Sequence, residues 1–398
     1  MLATRNGHST IPDGAAVAAF VNTIYASLPR ADQRRWAQAH LSALLTVPGR
    51  KTLRGLAQAV TPRAGSAHGL QQFINGSTWD WAPVRQALAR AVTEQGPPQT
   101  WSIATITIRK RGHHSVGVHR RFDAGAGRVV NCQLAIGLFA TTPAGSLPVD
   151  WRLLLDDTWS TDTARRSRAR IPDTVTARTV AEHMRELVAA GAALSGRNTS
   201  PWVLDLTGTP DAALVIDALT EHGQDFLCEV GPAQPMHVTA LGGRPVPAAT
   251  AMTHRRGQAA LASPVPRDGR GSGRYLLHIG RAYLAGGQQH APLSHRLVME
   301  PPSPLHRAGR YWVTNMADRI HEIPALAETV MVTDCAIADL IDDFGVQDFE
   351  GRSYPGWHHH MTMAAAAYVF SRLHHASPRT CRHGHHPTPR AAPLRLTS

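Results

Sequence analysis

Pro201-Trp-Val-Leu-Asp205 decides how this chain is read: a short apolar run closed by an acid, set between two helical segments. Upstream, Val180, Met184, Leu187 and Val188 recur at helical spacing; downstream, a helix near Asp211 to His222 leads into the apolar run Phe226 to Val230. Three further runs rich in Ile, Val and Leu come earlier, Trp101 to Ile108, Val129 to Ala140 and Trp151 to Leu155, each bounded by turn residues. Three strands, helix, strand, helix, strand is the order of an α/β ribonuclease H-like core, a mixed sheet flanked by helices.

The rest of the chain arranges itself around that core. Residues 1–95 read as an N-terminal helical domain. Asp13 can cap a first helix with Val17, Phe20, Val21, Ile24 and Leu28 inward; helices follow at Ala31 to Leu45, Leu53 to Val60 and Trp81 to Val92, with Trp79 and Trp81 as core residues. Residues 96–230 hold the first part of the core. Residues 231–310, rich in Gly, Pro and Arg with one strand candidate at Tyr275 to Ile279, read as a β or loop insertion before the last core helix. Residues 311–376 return to the core through a strand at Tyr311 to Thr314, a long helix from Pro324 to Phe344 and a terminal helix from Trp357 to Leu373. The Pro, Arg and His content of residues 377–398 predicts a disordered tail.

Composition is that of a globular protein, 43% hydrophobic and 18% charged over 398 residues. The net charge of +12 favours a polyanionic partner, because clustered cations gain affinity by releasing counterions from phosphates. Only Lys51 and Lys110 are lysines, so the charge is almost wholly arginine, suited to bidentate phosphate contacts. Cys132, Cys228, Cys335 and Cys381 lie far apart, which argues against a disulfide framework and predicts a reducing cytoplasm. No run approaches the ~20 apolar residues of a membrane span, and Met1 to Gly14 lacks the pattern of a signal peptide.

Several motifs taken together resemble DDE transposases of bacterial insertion sequences, in the branch related to insertion sequence 701. Gly49-Arg-Lys-Thr52, Gly69-Leu-Gln-Gln-Phe73 and Ser77-Thr-Trp-Asp-Trp81 are similar to that family's N-terminal helices. Lys110-Arg-Gly-His-His-Ser-Val-Gly-Val118 and Asn131-Cys-Gln133 resemble its first hairpin, and Trp159-Ser-Thr-Asp162 with Arg165, Arg166, Ile171 and Pro172 the segment after its third strand. Phe349-Glu-Gly-Arg352 and Gly356-Trp-His-His-His360 resemble its closing signature. The same order and spacing are kept over most of the chain.

The resemblance implies DNA transposition: binding of inverted-repeat ends of double-stranded DNA, with a homodimer as a further implication, and strand transfer by two Mg²⁺ ions held on three carboxylates. Mg²⁺ is a hard octahedral ion served by carboxylates and waters. The first acid of the family falls on Ala104 and Thr105, neither of which carries charge, and no acid occurs between Trp101 and Arg121. The second falls on Asp205. The third falls on Asp334, with Ile341 where the family has lysine and Val330 where it has arginine. Asp205 and Asp334 are therefore the candidate catalytic and metal residues of an eroded site. Arg109, Lys110 and Arg111, with Arg165, Arg166 and Arg168, are the candidate DNA contacts, giving affinity rather than sequence specificity.

Three functional readings follow: an active Mg²⁺-dependent transposase with a substitute first acid such as Asp123, Asp156 or Asp157; a non-catalytic, domesticated DNA-binding or regulatory protein; or a decayed copy without a selected role. Other conspicuous residues have structural readings. Glu350 and Arg352 suit an ion pair. His358, His359 and His360 are consecutive on a helix, cannot face one ion together, and suit packing around Trp357. Cys381-Arg-His-Gly-His-His386 lacks the second cluster that a zinc site needs.

Overall fold

The computed structural model describes residues 13–60, 66–123, 126–195, 200–238, 244–253, 258–263, 274–286, 295–302 and 308–374. The tail cluster at Cys381 and the predicted disordered tail lie outside them. The chain opens with α1 (Gly14–Ile24), α2 (Ala31–Thr46), α3 (Leu53–Val60), α4 (Ser66–Gln71) and α5 (Trp81–Thr93). Asp13 caps α1 by accepting the Ala15 N–H at 3.0 Å, and Val17, Phe20, Val21, Ile24 and Leu28 are buried, as the spacing predicts.

The core follows: β1 (Thr100–Arg109), β2 (His119–Asp123), β3 (Arg128–Thr142), β4 (Gly145–Leu153), α6 (Asp157–Thr161), α7 (Thr163–Ala169), α8 (Val180–Ser195), β5 (Trp202–Asp205), α9 (Ala212–Glu221) and β6 (Phe226–Val230). β3 lies antiparallel between β1 and β4, while β5 runs parallel to β1 and β6 parallel to β5. The spatial order β4-β3-β1-β5-β6 is that of the ribonuclease H-like fold. Two strands differ from expectation. β4 begins at Gly145, well before Trp151, because Pro148 is accommodated where the β3–β4 register shifts between Leu138 and Phe139. β2 is a strand that periodicity does not announce, because its sequence, His-Arg-Arg-Phe-Asp, shows no apolar alternation.

The insertion is more strand-rich than its single candidate suggests. It contains β7 (Pro235–Val238), β8 (Val246–Pro247), α10 (Ala248–Thr253), β9 (Gln258–Ser263), β10 (Arg274–Leu284) and β11 (Arg296–Glu300). With β12 (Arg310–Thr314) antiparallel to β6, these strands continue the core sheet outward in the order β6-β12-β11-β10-β7-β8. The chain then returns through α11 (Ile323–Asp342) and α12 (Tyr354–His374). Among the described residues no helix is long and apolar enough to cross a membrane. Cys132 and Cys228 are free and buried.

α12 is buried without interruption from Gly356 to Phe370, as befits a helix that is apolar nearly all round. It packs against α2, α5 and β4, so the N-terminal helices and the core share one helix as their common wall. Its three consecutive histidines each find a different neighbour. His358 stacks on Trp81 with ring centroids 4.4 Å apart, and His360 meets the Gly345 carbonyl oxygen at 2.9 Å. His359 lies between the carbonyl oxygens of Ile74 and Trp79, at 2.8 Å from each. Only a protonated ring can donate to both, but burial outweighs that pull and holds its pKa down at about 4. The expected Glu350–Arg352 pair is absent; Glu350 meets Arg50 instead, at 3.5 Å, tying the closing signature to the loop before α3.

Arg85 of α5 is the buried link between these layers. Its guanidinium donates to Thr362 Oγ1 (2.8 Å), Asp150 Oδ1 (3.1 Å) and the carbonyl oxygens of Trp151 (2.7 Å) and His358 (3.0 Å). Burial lowers its pKa to about 10, so it stays charged at neutral pH. Arg85→Met should therefore cost about 1–3 kcal/mol, read from the urea midpoint, because it removes four buried hydrogen bonds while Arg152 stays with Asp150 and the Trp151 carbonyl.

Burial holds His183, His359 and His360 near pKa 4 and His40 near 3, against about 6.5 for free histidine. The folded state thus binds fewer protons than the unfolded one over that interval, so stability is full above pH ~6.5 and falls as pH drops towards 4. Thermal melts between pH 8 and 4 check this. His40→Leu should flatten the slope, since it removes one neutral-only buried ring.

Candidate functional site

The parallel register pairs Trp101 of β1 with Trp202 of β5. Three residues further along each strand, Ala104 stands level with Asp205, and Asp205 is itself paired with Glu229 of β6. The shared face can be identified. Ser102 bonds Thr333 of α11 at 2.9 Å, and Val203 and Leu227 pack with Val330 of α11. Residues two positions on, namely Ala104, Asp205 and Glu229, point to the same side. Thr105, exposed, points to the other. Of the two uncharged positions, 104 is the one beside Asp205.

Asp205 is half-buried at the end of β5, where its Oδ1 accepts the Thr207 N–H at 3.0 Å and the Thr207 hydroxyl at 2.7 Å. Asp334 is exposed on α11, next to the buried Thr333, whose hydroxyl also lies 3.0 Å from Ser146 of β4. These hydroxyl contacts fix the rotation of the helix that carries Asp334. Val330 is buried and Ile341 packs against the core, so the positions that the resemblance gives to arginine and lysine are apolar and turned inward.

Glu229 is the acid that sequence reading passed over. The signal was available: one acid inside the apolar strand Phe-Leu-Cys-Glu-Val. It is buried and gripped in bidentate fashion by Arg310 of β12, at 3.0 Å and 2.7 Å. Arg310 also lies 3.6 Å from Glu300 of β11 and sits over the Trp312 ring at 4.4 Å. This buried cluster staples the strands that enter and leave the insertion.

The substitute first acids lie elsewhere. Asp123 is on β2, separated from β5 by β3 and β1, roughly 14 Å at about 4.8 Å per strand. It pairs with Arg109 at 2.7 Å. Asp156 caps α6, accepting the Thr158 hydroxyl at 2.6 Å, and Asp157 is exposed in the first turn of that helix.

The basic candidates divide. Lys110 Nζ donates to the Phe349 carbonyl at 2.6 Å, and burial lowers its pKa to about 8. Arg166 donates to the carbonyls of Pro172 (2.7 Å) and Val175 (2.9 Å). Both pin loops. Arg165 is partly exposed, beside Asp162 at 3.4 Å and over Trp159, while Arg111 and Arg168 are exposed. Arg109, Lys110 and Arg111 border an open concavity of about 760 Å³ with Arg120, Arg128 and Asn131, and no acid lines it.

Comparison with known families matches residues 23–270 to the DDE superfamily endonucleases. The chain belongs to that superfamily. Among solved structures it is similar to the piggyBac transposase in a synaptic complex with hairpin DNA, at 10% identity and a TM-score of 0.38 over 94% of this chain and 82% of that one. Comparison with curated proteins returns no match.

Nucleases of this superfamily use divalent metal ions. The residues present do not fit such a centre. Ala104 offers no ligand, both Glu229 oxygens face Arg310, and no cluster of three potential ligand side chains occurs among the described residues. Arg310→Met should destabilise the protein by about 3–5 kcal/mol in urea at pH 7, because it removes the bidentate cation from the buried Glu229 carboxylate and the ion-pair contact of Glu300. Changing Glu229 and Glu300 to Met as well should recover much of that loss.

Proposed function

We propose that this chain is a transposase-like DNA-binding protein that has kept the scaffold of a DDE strand-transfer enzyme and lost its cleavage chemistry. What supports this reading is the Trp101–Trp202 register, which, continued three residues along both strands, sets Ala104 level with Asp205, where two-ion catalysis requires a second carboxylate. Loss of that bridging ligand leaves Asp205 and Asp334 as the remaining candidate catalytic and metal residues. Double-stranded DNA is the proposed partner, supported by the net charge of +12 and the acid-free basic concavity. Inverted-repeat ends, a homodimer and Mg²⁺ as the ancestral ion complete the reading, as the insertion-sequence resemblance implies, with a cytoplasmic location suggested by the scattered cysteines. An active enzyme is the competing reading, and Glu229 is its best substitute acid, but that role would require Arg310 to let go.

The purified protein should show no Mg²⁺- or Mn²⁺-dependent strand cleavage on DNA from the flanks of its own gene. Ala104→Asp alone should remain inactive, because residues that act as a unit contribute non-additively. Ala104→Asp with Asp334→Glu and Ile341→Lys has the best prospect of recovering nicking. Robust cleavage by the unmodified protein that disappears in Asp205→Ala would sink the reading. DNA binding should weaken steeply with salt, and neutralising Arg165 and Arg168 together should reduce the slope of log K against log salt by roughly 0.9 per phosphate left unneutralised.

A further inference from the structure

The β2–β3 ribbon forms one edge of the sheet and carries a combination of groups that packing does not explain. Phe122 and Val129 are directly opposed across the two strands. They are 48% and 49% exposed, and are the exposed large hydrophobic side chains among the described residues. Arg120 and Arg128 are exposed on the same ribbon, and Arg111 is exposed at the end of β1. These three arginines line the acid-free concavity, which Val129 also borders. The one acid of the ribbon, Asp123, is paired with Arg109 at 2.7 Å.

By strand alternation Arg120 shares the face of this apolar pair while Arg128, opposite Asp123, projects from the other face, so the pair sits at the rim of the basic concavity with a guanidinium to either side of the ribbon. This arrangement suits a ligand that presents a flat apolar surface between negative charges. A nucleobase between two phosphates has that chemistry: aromatic side chains stack on any base, and arginines track the backbone beside it. Apolar side chains also serve as wedges between base steps of a duplex.

We propose that the β2–β3 ribbon is a base-engaging wedge, in which Phe122 with Val129 receives an unstacked base and Arg111, Arg120 and Arg128 hold the adjoining phosphates. The inference rests on the DNA-binding reading above and adds the form of DNA that is preferred: a duplex with an unpaired or easily opened base, rather than a perfect helix. Because Phe122 and Val129 are exposed, replacing them leaves the core untouched.

The test uses the full-length protein and two short duplexes of generic sequence, one fully paired and one carrying a single unpaired 2-aminopurine. The wild type should bind the second duplex more tightly and quench its 2-aminopurine fluorescence by stacking. Phe122→Ala should abolish the quenching and lower affinity for that duplex roughly tenfold, with little change for the paired one. Phe122→Trp should restore quenching. Arg120→Gln with Arg128→Gln should weaken both duplexes and reduce the salt slope by roughly 0.9 for each phosphate that either arginine neutralises. Salt-dependent binding of both duplexes that is unchanged in Phe122→Ala and gives no fluorescence response would overturn the wedge while leaving DNA binding intact. No binding of either duplex at low salt would overturn both readings.

Discussion

One buried guanidinium holds the layers of this protein in register. Arg85 reaches from α5 to the end of β4 and to the first turns of α12, and its donors are spent on a carboxylate, a hydroxyl and two backbone carbonyls. A charge in that position is tolerable only while every partner stays in place. The burial of α12 follows from it. With β4 and α5 fixed on either side, the helix has no solvent face from Gly356 to Phe370, and most of its polar side chains find partners inside. Tyr25, just past α1, meets the Met363 sulfur at 2.8 Å, and His359 reaches the turn after α4 and the loop before α5. The N-terminal helices are thus the second wall of a central helix rather than an appendage.

A second junction gathers the segments that carry the family resemblance. Lys110 and Ser115 donate to the carbonyls of Phe349 and Gly351, and the Val116 N–H donates to that of Arg352. Arg170 reaches the Asn75 carbonyl and the Ser353 hydroxyl. Gly351 lies so close to the Asn75 side chain that a Cβ there would collide with it. Four stretches far apart in the chain meet here, and their motifs hold the scaffold together. Sequence supplies a residue's charge but not its partner, which is why Lys110 and Arg166 read as phosphate contacts although their donors serve backbone carbonyls.

The core was legible because each strand and helix has its own apolar period, and the order of those periods permits few topologies. The insertion was not, because Gly, Pro and Arg obscure the alternation of β7, β8 and β9, and long-range pairing rather than local preference makes them strands. Ala104 and Thr105 were indistinguishable until β1 had a register; the pleat then sends one towards Asp205 and the other away. Glu229 lay in an apolar run whose hydrophobicity masked its acid. Its role depends on Arg310, which lies across the whole insertion.

The row Ala104, Asp205, Glu229 has a consequence for how the fold tolerates its own site. Carboxylates crowded at the end of a sheet repel one another, and a protein that holds three of them open for metal keeps a permanent electrostatic strain in its unloaded state. In this row Ala104 supplies a methyl group, and Glu229, which is not one of the three family positions, is neutralised by a guanidinium from the adjoining strand. Along this row no two uncompensated carboxylates stand on neighbouring strands, so this part of the sheet end carries little of that repulsion.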